Sequence, residues 1–305
     1  LESRRQFIQK IVSGSILLGA GQFPLEALAA ADEVRLTILH TNDMHSRIEP
    51  FPADDKKFAG KGGMSQRAAI IQKIRSEVEH VLLLDSGDIF QGTPYFNFFG
   101  GETEFKLMSA MGYDVATLGN HDFDGGMDGF YRQLPHANFP FVVCNYDFRH
   151  TVLQNKIQPY TILRKGSLKI GVFGIGIELQ GLVPEHLYGE TIYLDPITEA
   201  QRISNLLRYD EKCDLVICLS HLGLKYQNGK VSDEVLATQT SGIDLILGGH
   251  THTFLPSPLE YKNRAGDMVV VNQVGWGGIV LGRLEIICDK VKRKKWRYVQ
   301  PVIVS

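Results

Sequence analysis

The chain has 305 residues, 44% apolar, 22% charged and 10% aromatic, enough to bury one large core or two modest ones and too apolar for a disordered, collagenous or coiled-coil chain. Lys and Arg number 32 against 34 Asp and Glu, a net charge of −2, so no global basic field exists to hold a nucleic-acid polymer. The four cysteines, Cys144, Cys213, Cys218 and Cys288, lack C-x-x-C spacing and stand in or beside apolar runs, which reads as buried hydrophobes and not as a disulfide framework.

The chain opens with Ser3-Arg4-Arg5-Gln6-Phe7-Ile8, continues through a mild apolar stretch over 11–18 and reaches Ala27-Leu28-Ala29-Ala30-Ala31. This order of charged, apolar and small residues predicts a signal peptide over 1–31. The paired arginines followed by x-Phe-Ile resemble the twin-arginine export signal, which carries folded proteins across the bacterial inner membrane. That resemblance implies an exported, periplasmic protein whose mature part is one domain over 32–305. The apolar stretch is far shorter than the roughly 20 residues of a membrane span, and no other run approaches that length, so no membrane contact is expected once the signal is removed.

From Val34 onward, short runs rich in Val, Ile and Leu alternate with segments of helical period. Strands are predicted over 34–40, 81–84, 115–118, 139–144, 168–175, 215–219, 245–247, 268–274 and 280–287, and helices over 65–79, 103–111, 127–134, 198–212 and 232–238. Such alternation implies α/β layering with sheets covered by helices. The runs 160–164 and 168–175, joined by Lys165-Gly166-Ser167, read as a hairpin, so antiparallel pairs are mixed in. The tail over 269–304 reads as nearly all strand; within it Lys290, Lys292, Arg293, Lys294, Lys295 and Arg297 form a basic stretch, read as a solvated hairpin turn.

Five of these strands deliver Asp, Asn or His into the loop that follows. The first leads into Thr41-Asn42-Asp43-Met44-His45, the second into Asp85-Ser86-Gly87-Asp88 and the third into Gly119-Asn120-His121-Asp122-Phe123-Asp124. The strand over 215–219 leads into Ser220-His221-Leu222-Gly223, and that over 245–247 into Gly248-Gly249-His250-Thr251-His252. At the C-terminal ends of strands in open α/β sheets, loops converge on a crevice. Five of the ten histidines fall in these loops.

Carboxylate, amide and imidazole donors without a thiolate suit divalent Zn, Mn, Co or Fe. Seven candidate ligands exceed the needs of one four-coordinate ion. Two ions sharing a bridging carboxylate would use them, and a pair about 3.5–4 Å apart is a device for hydrolysing phosphate esters. Gly87, Gly119, Gly248 and Gly249 are read as supplying positive φ and removing side-chain bulk there. Asp85 is expected to face away from Asp88 and order its loop by hydrogen bonds, His40 to be a core or supporting residue, and Arg67 to make a structural salt bridge. His80, His136, His150 and His186 lie outside the metal loops.

The set D-x-H, G-D, G-N-H followed by an acid, a lone His after a strand, and G-H-T-H resembles the calcineurin-like metallophosphoesterase superfamily. The wordings HTNDMH, DSGDIFQGTP, LGNHDFDGG, SHLG and GGHTH, with GWGGIVLGRLEI near the end, resemble its 5′-nucleotidase branch, from about residue 34 onward. The resemblance implies a four-layer αββα sandwich of two mixed β-sheets flanked by helices. It also implies an exported phosphohydrolase with two divalent ions, acting on a small phosphate ester, above all a nucleotide. Carried over, Asp43, His45 and His252 would hold one ion and Asn120, His221 and His250 the other, with Asp88 bridging. His121 and Asp124 match the family's catalytic pair, His121 near the scissile ester and Asp124 orienting its ring. Asp122 stands where Glu is commoner and is expected to touch no assigned ligand.

In that branch a second domain usually follows and stacks aromatic side chains on the base. With Ser305 following the tail strands directly, those contacts are expected from a separately encoded nucleotide-recognition domain, and the chain alone is expected to treat nucleotides and simple phosphomonoesters alike. Thiosulfohydrolase and cyclic-nucleotide phosphodiesterase activities are alternatives on the same metal site. A non-catalytic binding protein is a third reading, against which stands the full set of ligands.

Overall fold

The computed structural model describes residues 33–289 and 294–305; the signal segment read over 1–31 and positions 290–293 of the basic stretch lie outside the described residues. In chain order the strands are β1 (Val34–Thr41), β2 (Val81–Asp85), β3 (Val115–Ala116), β4 (Tyr146–Asp147), β5 (Tyr160–Lys165), β6 (Leu168–Ile175) and β7 (Ile192–Tyr193). They continue with β8 (Leu215–Ser220), β9 (Leu245–Leu247), β10 (Leu259–Lys262), β11 (Met268–Asn272), β12 (Val280–Cys288), β13 (Lys294–Tyr298) and β14 (Val302–Ile303). The α-helices are α1 (Met64–Glu77), α2 (Pro94–Phe99), α3 (Glu102–Met111), α4 (Gly126–Gln133), α5 (Glu185–Tyr188), α6 (Pro196–Asn205) and α7 (Asp233–Gln239).

The first sheet has the order β13-β12-β1-β2-β3, with β14 also on β12; it is parallel across β1, β2 and β3 and antiparallel at β12. The second runs β10-β11-β9-β8-β6-β5, parallel from β11 to β6 and antiparallel at both edges. The β5–β6 edge is the hairpin read around Gly166, with Lys165 opposite Leu168. The described part of the basic stretch, from Lys294, lies on β13, which pairs antiparallel with β12 and sets Lys294 opposite Cys288.

Strand alternation decides the layers. Leu36 and Ile38 of β1 join Leu82 and Leu84 of β2, Val172 of β6, Ile217 of β8 and Leu247 of β9 in the core between the sheets. Leu39 and Leu83, one position on, join Ile71 and Ile74 of α1 and Phe105 and Met108 of α3 in a second core. On the far side Phe173, Val216 and Ile246 join Ala200 and Ile203 of α6 and Leu236 of α7. The result is the expected αββα sandwich. β2 and β8 are buried at every residue, which is why each reads as an unbroken apolar run. All four cysteines are buried. No helix among the described residues is long and apolar enough to cross a membrane.

The strand read over 139–144 is not one. Val142 N–H donates to Ala116 O, Val143 N–H to Gln158 O and Cys144 N–H to Gly174 O, each at 2.9 Å. The segment changes partner at every residue as it passes from the edge of the first sheet to β6 of the second, so no ladder forms. The helix read over 198–212 begins at Pro196, because the Asp195 side chain accepts from Thr198 N–H at 2.8 Å and proline suits the first helical position. Its last part, Leu206–Asp210, is π-helical. The short elements α2, α5, β4, β7 and β10 escape a periodicity reading because they span too few residues to show a period.

Candidate metal centre

The loops after β1, β2, β3, β8 and β9 meet beyond the ends of both sheets. Ser86, just past β2, ties the sheets together: its Oγ donates to Leu247 O at 2.8 Å, and its carbonyl accepts from His221 Nδ1 at 2.7 Å. The His250 N–H reaches both carboxylate oxygens of Asp43 at 3.0 Å. Asn42 accepts from Val274 N–H at 3.0 Å and donates to Gly275 O at 2.6 Å.

The backbone is bent to make this meeting possible. Asp43, His45, Asp88, His250 and His252, five of the seven ligand candidates, have φ between 49° and 69°. Residues with a Cβ rarely enter that left-handed region, although Asp and His do so more often than most, and each such position costs about 1–3 kcal/mol that the surrounding fold must offset. Of the four glycines singled out, Gly87 has a positive φ, of 87°, and the other three do not. Gly119 is needed for space: a Cβ there would lie 2.2 Å from Asp88 Oδ1.

Two groups of donors result. Asp43, His45 and His252 each place one donor atom within 4.8 Å of the others, as do Asp88, His221 and His250. In the first, Asp43 Oδ1 is 3.3 Å from His252 Nε2 and 4.0 Å from His45 Nε2, and the two ring nitrogens face each other at 3.0 Å. In the second, His221 Nε2 is 3.1 Å from Asp88 Oδ2, and Asn120 Oδ1 lies 2.9 Å from His250 Nδ1. The groups adjoin, since Asp43 Oδ1 is also 3.9 Å from His221 Nε2. Asp88 belongs to the second group by distance; its Oδ1 accepts from His121 N–H at 2.7 Å, and its charge also acts on His45.

These donors fit divalent cations. His221 Nδ1 is committed to the Ser86 carbonyl, while its Nε2, fully buried and 3.1 Å from Asp88 Oδ2, is the ring nitrogen that can turn its lone pair to a cation once the ring gives up its second proton. Burial opposes charge on both groups, yet Asp88 and Asp43 pull the His221 pKa up to about 10, and the His221, His45 and His121 charges hold Asp88 well below the usual carboxylate range. A pocket that stabilises positive charge this strongly suits a bound cation in place of a proton. The site therefore has two candidate positions for divalent ions, as expected.

His121 opens a short 3₁₀ turn, His121–Phe123, at the rim. Its Nδ1 lies 2.8 Å from Asp124 Oδ2, and its ring centroid is 5.3 Å from that of His45, edge-on. The hydrogen bond to Asp124 outweighs partial burial and raises the His121 pKa. Asp85 behaves as expected: it accepts from Thr41 Oγ1 at 2.5 Å and Gly87 N–H at 2.9 Å, and burial pushes its pKa up to about 8. His40 lies in the interior, its Nε2 2.8 Å from Asn272 Nδ2, with its pKa lowered by burial to about 3.

Two expectations need correction. Asp122 does reach an assigned ligand: its carboxylate accepts N–H bonds from Asp88 at 3.0 Å, Ile89 at 2.9 Å, Phe90 at 3.2 Å and Gly119 at 2.8 Å. It shapes the Asp88 loop from beneath, a role invisible in sequence because the bonded amides lie some thirty positions upstream of it for all but Gly119. Arg67 makes no ion pair among the described residues; fully buried, it props the loop at Gly278, where a Cβ would meet its Nη2 at 1.7 Å.

A calcineurin-like phosphoesterase family model matches residues 36–254. The snake venom 5′-nucleotidase of Gloydius brevicauda is 37% identical over 295 residues, covering 90% of this chain and 49% of that protein. The 5′-nucleotidase of Vibrio cholerae is 34% identical over 260 residues, covering 80% of this chain and 45% of that one. The solved 5′-nucleotidase precursor of Thermus thermophilus superposes with a TM-score of 0.78 at 30% identity, over 89% of this chain and 55% of its own. The chain thus spans about half the length of these relatives. From the first strand to the loop holding His250 and His252, sequence, layering and donor groups agree, and the chain belongs to the calcineurin-like phosphoesterase family.

Proposed function

We propose that this protein is a dinuclear metal-dependent phosphomonoesterase of 5′-nucleotidase type. The observation that carries the reading is the pair of adjoining donor groups with His121, steered by Asp124, at their rim. Asp43, His45 and His252 would hold one ion, Asn120, His221 and His250 the other, and Asp88, which acts on both His221 and His45, would bridge. When bound, two such cations acidify water and neutralise phosphoryl oxygens. His121 directs its Nδ1 to Asp124, which leaves Nε2 to bind an ester oxygen and to hold or move a proton there. The donor set, with imidazole and carboxylate and no thiolate, favours Zn, Mn, Co or Fe. The names of the relatives favour a nucleotide as the ester.

Protein supplied with Mn(II) or Zn(II) is expected to release phosphate from AMP, to stop on chelation and to resume when metal is returned. No release from AMP or an aryl phosphate with either ion would reject the reading. The paired Arg4 and Arg5 support an exported, periplasmic location. Replacing both with Lys is expected to strand the precursor in the cytoplasm; undiminished secretion would point to another route.

A further inference from the structure

The loop that carries His250 and His252 is held by a side chain outside the seven donors. Gln273 follows β11, whose Asn272 lies opposite Leu247 of β9, so it stands beside the exit of β9 into Gly248-Gly249-His250. It is fully buried. Its Nε2 donates to Gly249 O at 2.5 Å, and its Oε1 accepts from Thr253 N–H at 2.5 Å and from Thr251 Oγ1 at 3.0 Å. One side-chain amide therefore bonds to the residue before His250, the residue between the two histidines and the residue after His252.

The loop needs such a clamp. His250 and His252 have φ of 69° and 51°, left-handed values that a histidine holds only where its surroundings impose them. The backbone there also packs directly on ligand candidates of both donor groups: a Cβ on Gly249 would lie 2.8 Å from His221 Nδ1 and 3.1 Å from Asp43 Oδ2. A small shift of the loop would thus disturb both groups together. The chemistry of the clamp is specific as well. The loop presents an acceptor at Gly249 and donors at Thr251 and Thr253, and an amide ends in both a donor and an acceptor, whereas a carboxylate ends in acceptors alone.

We propose that Gln273 is a positioning residue for both candidate ion sites. His252 belongs with Asp43 and His45, and His250 with Asp88 and His221, so fixing the loop from Gly249 to Thr253 sets one donor of each group at once. Gln273 thereby governs the affinity for two divalent cations through backbone it holds. The inference rests on the dinuclear phosphoesterase reading for the presence of the ions.

The test titrates the metal-free full chain with Zn(II) against a chelating indicator, so affinity is read without any ester. Gln273→Met keeps the length and burial of the side chain but removes all three bonds, and it is expected to weaken both ions by about 10- to 100-fold, the range for groups that orient metal ligands. Gln273→Glu keeps the accepted bonds and sets an oxygen against Gly249 O; a loss of the same sign is expected, and this variant decides the matter if the Met form does not fold. Gln201→Met is the control. Gln201 makes a similar clamp at the entry to β9, accepting from Ser241 N–H at 2.9 Å and donating to Ser241 Oγ at 3.1 Å, and its loss is expected to lower stability with both affinities at the parent value. Parent affinity for both ions in the folded Gln273 variants would overturn the inference, as would weakening of one ion alone or an equal loss in Gln201→Met. Weakened ions in variants of a chain that releases phosphate from no ester would reject the phosphoesterase reading and keep this role for Gln273. Phosphate release with unchanged affinities would do the reverse.

Discussion

Asp88→Ala is expected to abolish phosphatase activity, by more than about a hundredfold, and to leave at most one metal ion per chain. The side chain is buried, lies 3.1 Å from His221 Nε2, accepts from the His121 amide at 2.7 Å and interacts electrostatically with His45. Its loss removes the negative charge that draws a cation between the histidines and frees the amide that positions His121. Alanine also tolerates the φ of 56° less well than aspartate. Asp88→Asn, which keeps volume and backbone tolerance, isolates the charge and is expected to show the same metal loss. Loss of a ligand assigned to one ion, as in His221→Ala, is expected to leave the other in place. Elemental analysis decides the matter: two ions per chain in Asp88→Ala would remove the bridging assignment.

His121→Ala is expected to retain full metal content and to lose 10²- to 10⁴-fold in kcat, the usual range for a positioned acid or base, or about 2.7 to 5.5 kcal/mol in the barrier. Its ring belongs to neither donor group and is tethered to Asp124 at the rim, with 38% of the side chain exposed toward solvent. Truncation therefore leaves the buried centre intact. Turnover equal to the parent protein would reduce His121 to a structural residue, and metal loss would place it among the ligands.

The loops that carry the two donor groups were legible because the relevant information is local. A buried strand such as 81–85 needs an apolar run, and the acid that ends the run marks where apolar packing gives way to a polar, still buried loop. Gly87 was likewise legible in its own loop, with φ of 87°. The supporting carboxylate Asp122 was not, because its value lies in three amides contributed by residues 88–90 of another loop.

By itself, then, the amino-acid sequence determined the alternation of strands and helices, the five strand exits rich in Asp, Asn and His, and the absence of thiolate among the donors. Periodicity and strand-end chemistry are properties of a few neighbouring residues, so they survive without coordinates. The tertiary structure alone decided how closely the two donor groups adjoin, how the 139–144 segment passes between the sheets, and that the Asp122 carboxylate holds the amides of residues 88–90. Each of those facts joins residues far apart in the chain. Their proximity is set by packing of the two sheets and by strained loop backbones that no local pattern encodes.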